Sequence, residues 1–136
     1  MKLNRFNLLL IFPCCELFAQ DIANLYPECF QRHIIGYHKE KGSEVYLQAT
    51  VGITEFIPET VLGNSILQLS DKDIANKVKK GNFVMIQIFP IVIENNEIRL
   101  DIFEFSVLRK KGQITLIKHG GSSFKIGIIE GKVLHH

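Results

Sequence analysis

The fold of this chain is decided by residues 83–109, which read FVMIQIFPIVIENNEIRLDIFEFSVLR. The first apolar run, 83–93, predicts a strand covered on both faces, although Pro90 lacks a ladder donor and indicates an edge or a bulge. Residues 94–97 predict a hairpin turn, because asparagine tolerates positive φ. The apolar residues of the following strand change from one face to the other, which predicts a bulge near Ile102-Phe103.

Shorter patterns on both sides predict further strands, which cover residues 44–53, 64–69, 113–118 and 124–129. Lys110-Lys111-Gly112 and His119-Gly120-Gly121-Ser122-Ser123 predict the turns that precede the last two strands. We therefore expect a curved antiparallel β-meander sheet of four to six strands.

One or two short helices are expected to close an apolar face of this sheet. The Ser70 hydroxyl can cap a helix whose first turn carries two aspartates and which ends before Gly81. Pro27 can occupy the first turn of another helix that extends to about Tyr37, since its missing N–H is harmless there. The predicted class is α+β.

The chain begins with a segment typical of a secretory signal peptide. Lys2 and Arg5 supply positive charge, residues 6–15 are mainly apolar, and Ala19 is the small residue before the expected cleavage site. This segment resembles the leaders of exported bacterial proteins; the alternative is a buried first strand. We expect residues 1–19 to be removed and residues 20–136 to form one domain, periplasmic or extracellular, without a transmembrane segment.

Charge and cysteine content narrow the classes of partner. The leader carries two of the 16 basic and one of the 14 acidic residues, so the mature chain has 14 and 13. A nearly neutral chain lacks the field that attracts nucleic acid or an anionic membrane, and no nucleic-acid partner is expected. Only Cys29 remains after cleavage, which excludes an intramolecular disulfide in the mature chain.

Cys29, His33 and His38 form a candidate metal site. Cys29 and His33 are spaced i, i+4 and would share one face of a helix, a spacing that can hold zinc or copper. The alternative is that Cys29 is a core residue. We favour this alternative and expect no cofactor.

Residues His119, Gly120, Gly121, Ser122 and Ser123 form the candidate site for chemistry on a ligand. The two glycines let backbone N–H groups converge on an anion, and the imidazole stands beside two hydroxyls. A nucleophilic serine also needs a base and an orienting carboxylate. The alternative is a tight connection between strands.

Two acids, Asp101 and Glu104, are available to such a site. They lie on opposite faces of a regular strand, and Arg99 and Arg109 are near enough in sequence to explain them as ion pairs. The carboxylates therefore do not define an acid pair for glycoside cleavage.

These patterns favour a non-catalytic binding module over an enzyme. The expected partner is a small apolar ligand or a protein surface, buried in the concave face of the sheet with Gly120 and Gly121 at its rim. The alternative is a small periplasmic hydrolase that uses His119 with Ser122 or Ser123. A third hypothesis is a self-associating protein that pairs through a strand edge.

Overall fold

The computed structural model describes residues 13–129 and 132–133 and shows an α+β fold, with two helices and a mixed sheet curled into a half-barrel. The helices are α1 (Pro13–Tyr37) and α2 (Asp71–Val78), and a 3-10 helix covers Thr54–Phe56. The strands are β1 (Glu44–Gln48), β2 (Thr60–Val61), β3 (Asn64–Leu69), β4 (Phe83–Ile88), β5 (Val92–Glu94), β6 (Glu97–Lys110), β7 (Gln113–Ile129) and β8 (Lys132–Val133).

The strands lie in the order β2-β3-β1-β4-β6-β7-β8, and β5 pairs with β6. The α+β class is confirmed, but the described strands exceed the predicted four to six. The sheet is also mixed, because β1 runs parallel to both β3 and β4. Parallel neighbours require crossover connections, which here contain the 3-10 helix with β2 and, further on, α2.

The first two predicted turns, at residues 94–97 and 110–112, both form, each as a hairpin with a two-residue loop. Asn95 and Asn96 adopt φ values of 50° and 59°, and Lys111 and Gly112 adopt 51° and 79°. Positive φ at both central residues matches the twist of the strands that each turn joins.

The third turn predicted in this half of the chain does not form. Residues 119–123 lie inside β7, which is continuous over 17 residues. Glu104 pairs with Gly120 and Phe105 with Lys118, so His119 is the extra residue of a bulge. The bulge is therefore on β7, beside Glu104 and Phe105, and the predicted position near Ile102-Phe103 is wrong.

The change of apolar face along β6 has a different cause. Ile98, Leu100 and Ile102 belong to the main core, which α1 covers, while Val107 belongs to a second cluster that α2 covers. Since alternate side chains point to opposite faces, β6 is apolar on one face where α1 packs and on the other where α2 packs.

Helix α1 begins earlier than predicted, so Pro27 lies inside it rather than in its first turn. Leu25, Tyr26, Phe30 and Ile34 are buried at helical spacing, and this continuous apolar face offsets the roughly 3 kcal/mol that an interior proline costs. Residues 13–19 of the predicted leader form the start of α1, and its residues 1–12 lie outside the described residues. Cleavage and export stay predictions.

Helix α2 has the predicted cap. The Asp73 backbone N–H donates to the Ser70 hydroxyl, and the Ser70 N–H donates to the Asp73 carboxylate. Ile74 and Val78 pack against Met85 and Val107. Within the described part of the chain, neither helix has the combined length and apolar content of a membrane span.

Candidate functional site

Polar side chains from three elements meet where the end of α1 crosses β6 and β7. His33 Nε2 lies 2.6 Å from Glu104 Oε2, and His38 Nε2 lies 2.9 Å from the same oxygen. His33 Nδ1 lies 2.7 Å from the Ser122 hydroxyl. We call His33, His38, Glu104 and Ser122 the His–Glu cluster.

The positions of these residues follow from the helical periodicity of α1 and the two-residue periodicity of β6. His33 follows Phe30 by three positions and lies on the buried face of α1, and His38 comes directly after the last residue of the helix. Glu104 continues the face of β6 that carries Ile102, and the β-ladder pairs Ile102 with Ser122. The His–Glu cluster therefore lies at one end of the main core, on the same helix and strand faces as the apolar core residues.

Burial differs sharply across the cluster. The side chains of His33 and Glu104 are 0% and 3% exposed, whereas that of His38 is 22% exposed. Ser122 is half-buried. Solvent therefore reaches the cluster through His38.

Glu104 is ionised in spite of its burial. Burial alone would raise the pKa of its carboxyl group, but hydrogen bonds from His33 and His38, together with their charge, outweigh that effect and hold the pKa at about 2. The cluster thus contains a buried carboxylate at neutral pH.

An ionised carboxylate only accepts hydrogen bonds, which fixes the protons around it. His33 Nε2 and His38 Nε2 must each donate to Glu104. In neutral His33, Nδ1 is then an acceptor, and the Ser122 hydroxyl donates to it. Ser122 can instead accept from an Nδ1–H, but only when His33 Nε2 is also protonated or binds another group in place of its proton.

Tyr37 covers the cluster. Its ring stacks on His33 at a centroid distance of 4.6 Å, with 14° between the planes. Its hydroxyl accepts from the Gly121 N–H at 2.9 Å and donates to the Gly121 carbonyl at 2.8 Å. A Cβ on Gly120 would lie 3.2 Å from the tyrosine ring. Glycine at this position lets Tyr37 approach the strand closely.

The predicted metal ligands are only partly brought together. Among the described residues, the group able to hold a metal ion comprises His33, His38 and Glu104. Cys29 lies one helical turn before His33, buried within the main core. Burial, with a smaller contribution from Glu28, raises the pKa of the Cys29 thiol to about 11.

The structure also brings together only some of the residues predicted for hydrolysis. Ser122 meets His33 instead of His119, which is exposed on the bulge of β7. Ser123 points to the other face, where it donates to Asp101 at 2.6 Å. Gly120 and Gly121 lie inside a strand and not at the tip of a turn.

The sequence offers Glu104 as an available acid but favours an ion pair with an arginine, whereas in the structure its carboxylate contacts His33 and His38. The sequence signal for its burial is the alternation along β6, which puts Glu104 on the same face as Ile98, Leu100 and Ile102. A buried acid requires polar or charged partners. Asp101 lies in the opposite phase, and the Arg99 Nε lies 3.2 Å from its carboxylate.

Comparisons of the chain with protein-family models, curated proteins and solved structures give no match. Its function is therefore inferred from the chemistry of the His–Glu cluster.

Proposed function

We propose that this protein is an exported binding protein whose ligand is a divalent transition-metal ion, held by His33, His38 and Glu104. One observation carries the proposal: one ligand atom from each residue lies within 4.8 Å of the other two. The carboxylate is already ionised, so binding requires no proton loss from it.

The donor set suits zinc and its neighbours in the first transition series. Two imidazole nitrogens and one carboxylate oxygen are ligands found in zinc and non-haem iron sites, and three protein ligands leave a coordination position for water. Zinc–ligand bonds of about 2.0–2.1 Å in a tetrahedral site separate the ligand atoms by roughly 3.3 Å. A retreat of the Glu104 carboxylate by less than about 1 Å opens the present hydrogen bonds to that spacing.

Ser122 supports metal binding by orienting His33, one of the proposed metal-binding residues. When His33 Nε2 binds a metal, its proton moves to Nδ1, where the Ser122 oxygen can accept it as a hydrogen bond. The tautomer required for metal binding is thus stabilised by a group already within 2.7 Å.

Access to the cluster also favours an ion. The route through His38 suits a small hydrated cation, while Tyr37 covers His33. The described cavities of about 190 Å³ and 410 Å³ lie elsewhere and are not lined by His33, His38 or Glu104. An organic substrate would need Tyr37 to move.

Isothermal titration of the purified protein with Zn²⁺, after dialysis against a chelator, tests the proposal. We expect one site per chain and at least a 100-fold loss of affinity in His38→Ala and Glu104→Gln. His119→Ala is the matched control, since it removes an exposed histidine outside the cluster. Failure of the wild type to bind, or an equal loss in the control, would contradict the assignment.

A second candidate function is acyl hydrolysis with Ser122 as nucleophile. The observation that favours it is the chain of contacts from Ser122 through His33 to Glu104, at 2.7 Å and 2.6 Å. This is the order of a serine, histidine and acid triad, with the two ring nitrogens exchanged.

Hydrolysis of p-nitrophenyl acetate in the presence of a chelator distinguishes this candidate from a metal-dependent one. Activity that is lost in Ser122→Ala and retained in Ser123→Ala would establish the serine mechanism. Equal rates in both variants and the wild type would eliminate it.

The concave face of the sheet offers less support for an apolar ligand. Phe30 and Ile34 of α1 pack against β6 in the main core, so side chains fill the space in which the sequence predicts a pocket. Exposed apolar residues lie instead along the start of β7.

A further inference from the structure

The outer edge of β7 is covered at two points. At its end, Ile128 and Ile129 pair with β8. At Gly121, the Tyr37 hydroxyl binds both the N–H and the carbonyl group. Over residues 113–118, by contrast, β6 on the inner side is the only described strand that pairs with β7.

The hairpin defines which backbone groups face outward in this open segment. A two-residue turn at Lys111 and Gly112 makes Lys110 and Gln113 a hydrogen-bonded pair. Because bonding alternates along an antiparallel ladder, the N–H and carbonyl groups of Ile114, Leu116 and Lys118 point away from β6. An unpaired edge of this kind is a template for another strand.

Three of the six side chains in the segment 113–118 are large, apolar and exposed. Ile114, Leu116 and Ile117 are 45%, 40% and 45% exposed. A solvent-facing strand edge usually carries charged residues or proline to prevent pairing. Between the hairpin and the bulge, only Lys118 carries charge.

We propose that this edge pairs with β7 of a second copy of the chain, antiparallel and about a twofold axis at Leu116. The register places Leu116 opposite its symmetry mate and Ile114 opposite Lys118 of the second copy. All three outward-facing residues are then paired, with about six main-chain hydrogen bonds across the axis.

Charge complementarity argues for a second copy as the occupant. Ile114 and Leu116 line the cavity of about 190 Å³ together with Asp71 of α2. Lys118 of the second copy arrives opposite Ile114 and therefore beside Asp71, and symmetry repeats this pair of opposite charges at the other end. A register centred on Lys118 would place two lysines opposite each other, which is unfavourable.

Sedimentation velocity over a range of concentrations tests the proposal on the full chain. We expect a concentration-dependent dimer in the wild type and a monomer in Leu116→Lys, which puts two like charges at the twofold axis. Val84→Lys is the matched control, because Val84 is 42% exposed on a strand that has neighbours on both sides. A monomeric wild type, or a dimer that survives Leu116→Lys, would overturn the proposal.

A charge exchange tests the register. Lys118→Glu should weaken dimerisation at least tenfold, and the double variant Asp71→Lys with Lys118→Glu should restore it. Hydrogen exchange adds an independent readout, since the amides of Ile114, Leu116 and Lys118 should be protected in the dimer and exposed in Leu116→Lys. Protection of these amides in a monomer would mean that the same chain covers the edge, which also overturns the proposal. The outcome does not depend on metal binding by the His–Glu cluster.

Discussion

Replacement of Glu104 by glutamine should destabilise the metal-free protein by about 2 kcal/mol. Glu104 accepts hydrogen bonds from both His33 and His38, and glutamine keeps the shape but not the charge. Hydrogen bonds to a charged group contribute about 1.5–3 kcal/mol, against about 0.5–1.5 for neutral pairs. The bond from His38 is worth less than that from His33, because His38 is partly exposed.

Urea unfolding followed by circular dichroism, in the presence of a chelator, measures this difference. For a domain of this size, about 2 kcal/mol corresponds to a melting temperature lower by roughly 8 °C. Asp101→Asn is the matched control on the same strand. Asp101 contacts Arg99 and Ser123 at the surface, so its loss should cost less than about 1 kcal/mol.

The difference should also depend on pH in a defined direction. The folded protein lowers the Glu104 pKa from its usual value of 4.5 to about 2, so the unfolded chain binds the proton more tightly. The stabilisation is complete above pH 4.5 and is lost as the pH falls towards 2. A variant as stable as the wild type at pH 7, or a difference that grows as the pH falls from 4.5 towards 2, would refute the proposed charge state of the cluster.

Three further predictions concern the rest of the fold. Ser70→Ala should cost about 1 kcal/mol in urea unfolding, because the reciprocal cap of α2 is lost, and the double variant with Asp73→Ala should cost less than the sum of the two singles. Cys29 should resist a thiol reagent at pH 8 until the protein unfolds, since its pKa is raised to about 11; prompt labelling of the native state would contradict its burial. Gly36→Ala should raise the stability by up to about 1 kcal/mol, because its site on α1 is open, while Gly121→Ala should lower it, because its Cβ would clash with the Phe103 ring and lie 2.6 Å from the Ile102 carbonyl oxygen. Thermal melts measure both changes, and equal stabilities of the two variants would contradict the prediction.

Local patterns predicted the elements whose formation depends on neighbouring residues. The cap at Ser70 and the turn at Asn95 and Asn96 both depend on contacts within a few positions. Such patterns do not predict whether two strands pair in parallel or antiparallel, because a buried apolar strand has the same sequence pattern in both arrangements. The sequence predicts too short an α1, because proline is also typical of helix starts, whereas burial against the sheet carries this helix through Pro27.

The sequence identifies the residues of the candidate site in two separate groups and does not predict that they meet. His33 and His38 were identified from their spacing, and Ser122 from a cluster of residues that favour turns. The contacts that join them span 71 residues, from His33 to Glu104, and 89 residues, from His33 to Ser122. Only the register of β6 with β7 brings these residues together. His119 is the extra residue of the bulge in β7, so its imidazole does not point in the direction that a regular turn would give it.

The position of the His–Glu cluster argues against a purely structural role. Its neighbours on the same face of β6 are Ile98, Leu100 and Ile102, all fully buried, so an apolar residue at position 104 would continue the core without the cost of burying a charge. Replacing buried ionic groups by apolar ones of similar volume is often neutral or stabilising. The fold nevertheless supplies Glu104 with two imidazole partners, and it gives His33 a hydroxyl partner at Nδ1 and a tyrosine ring that stacks on it. A carboxylate and two imidazoles at one point are the ligand set that the proposed transition-metal ion would require.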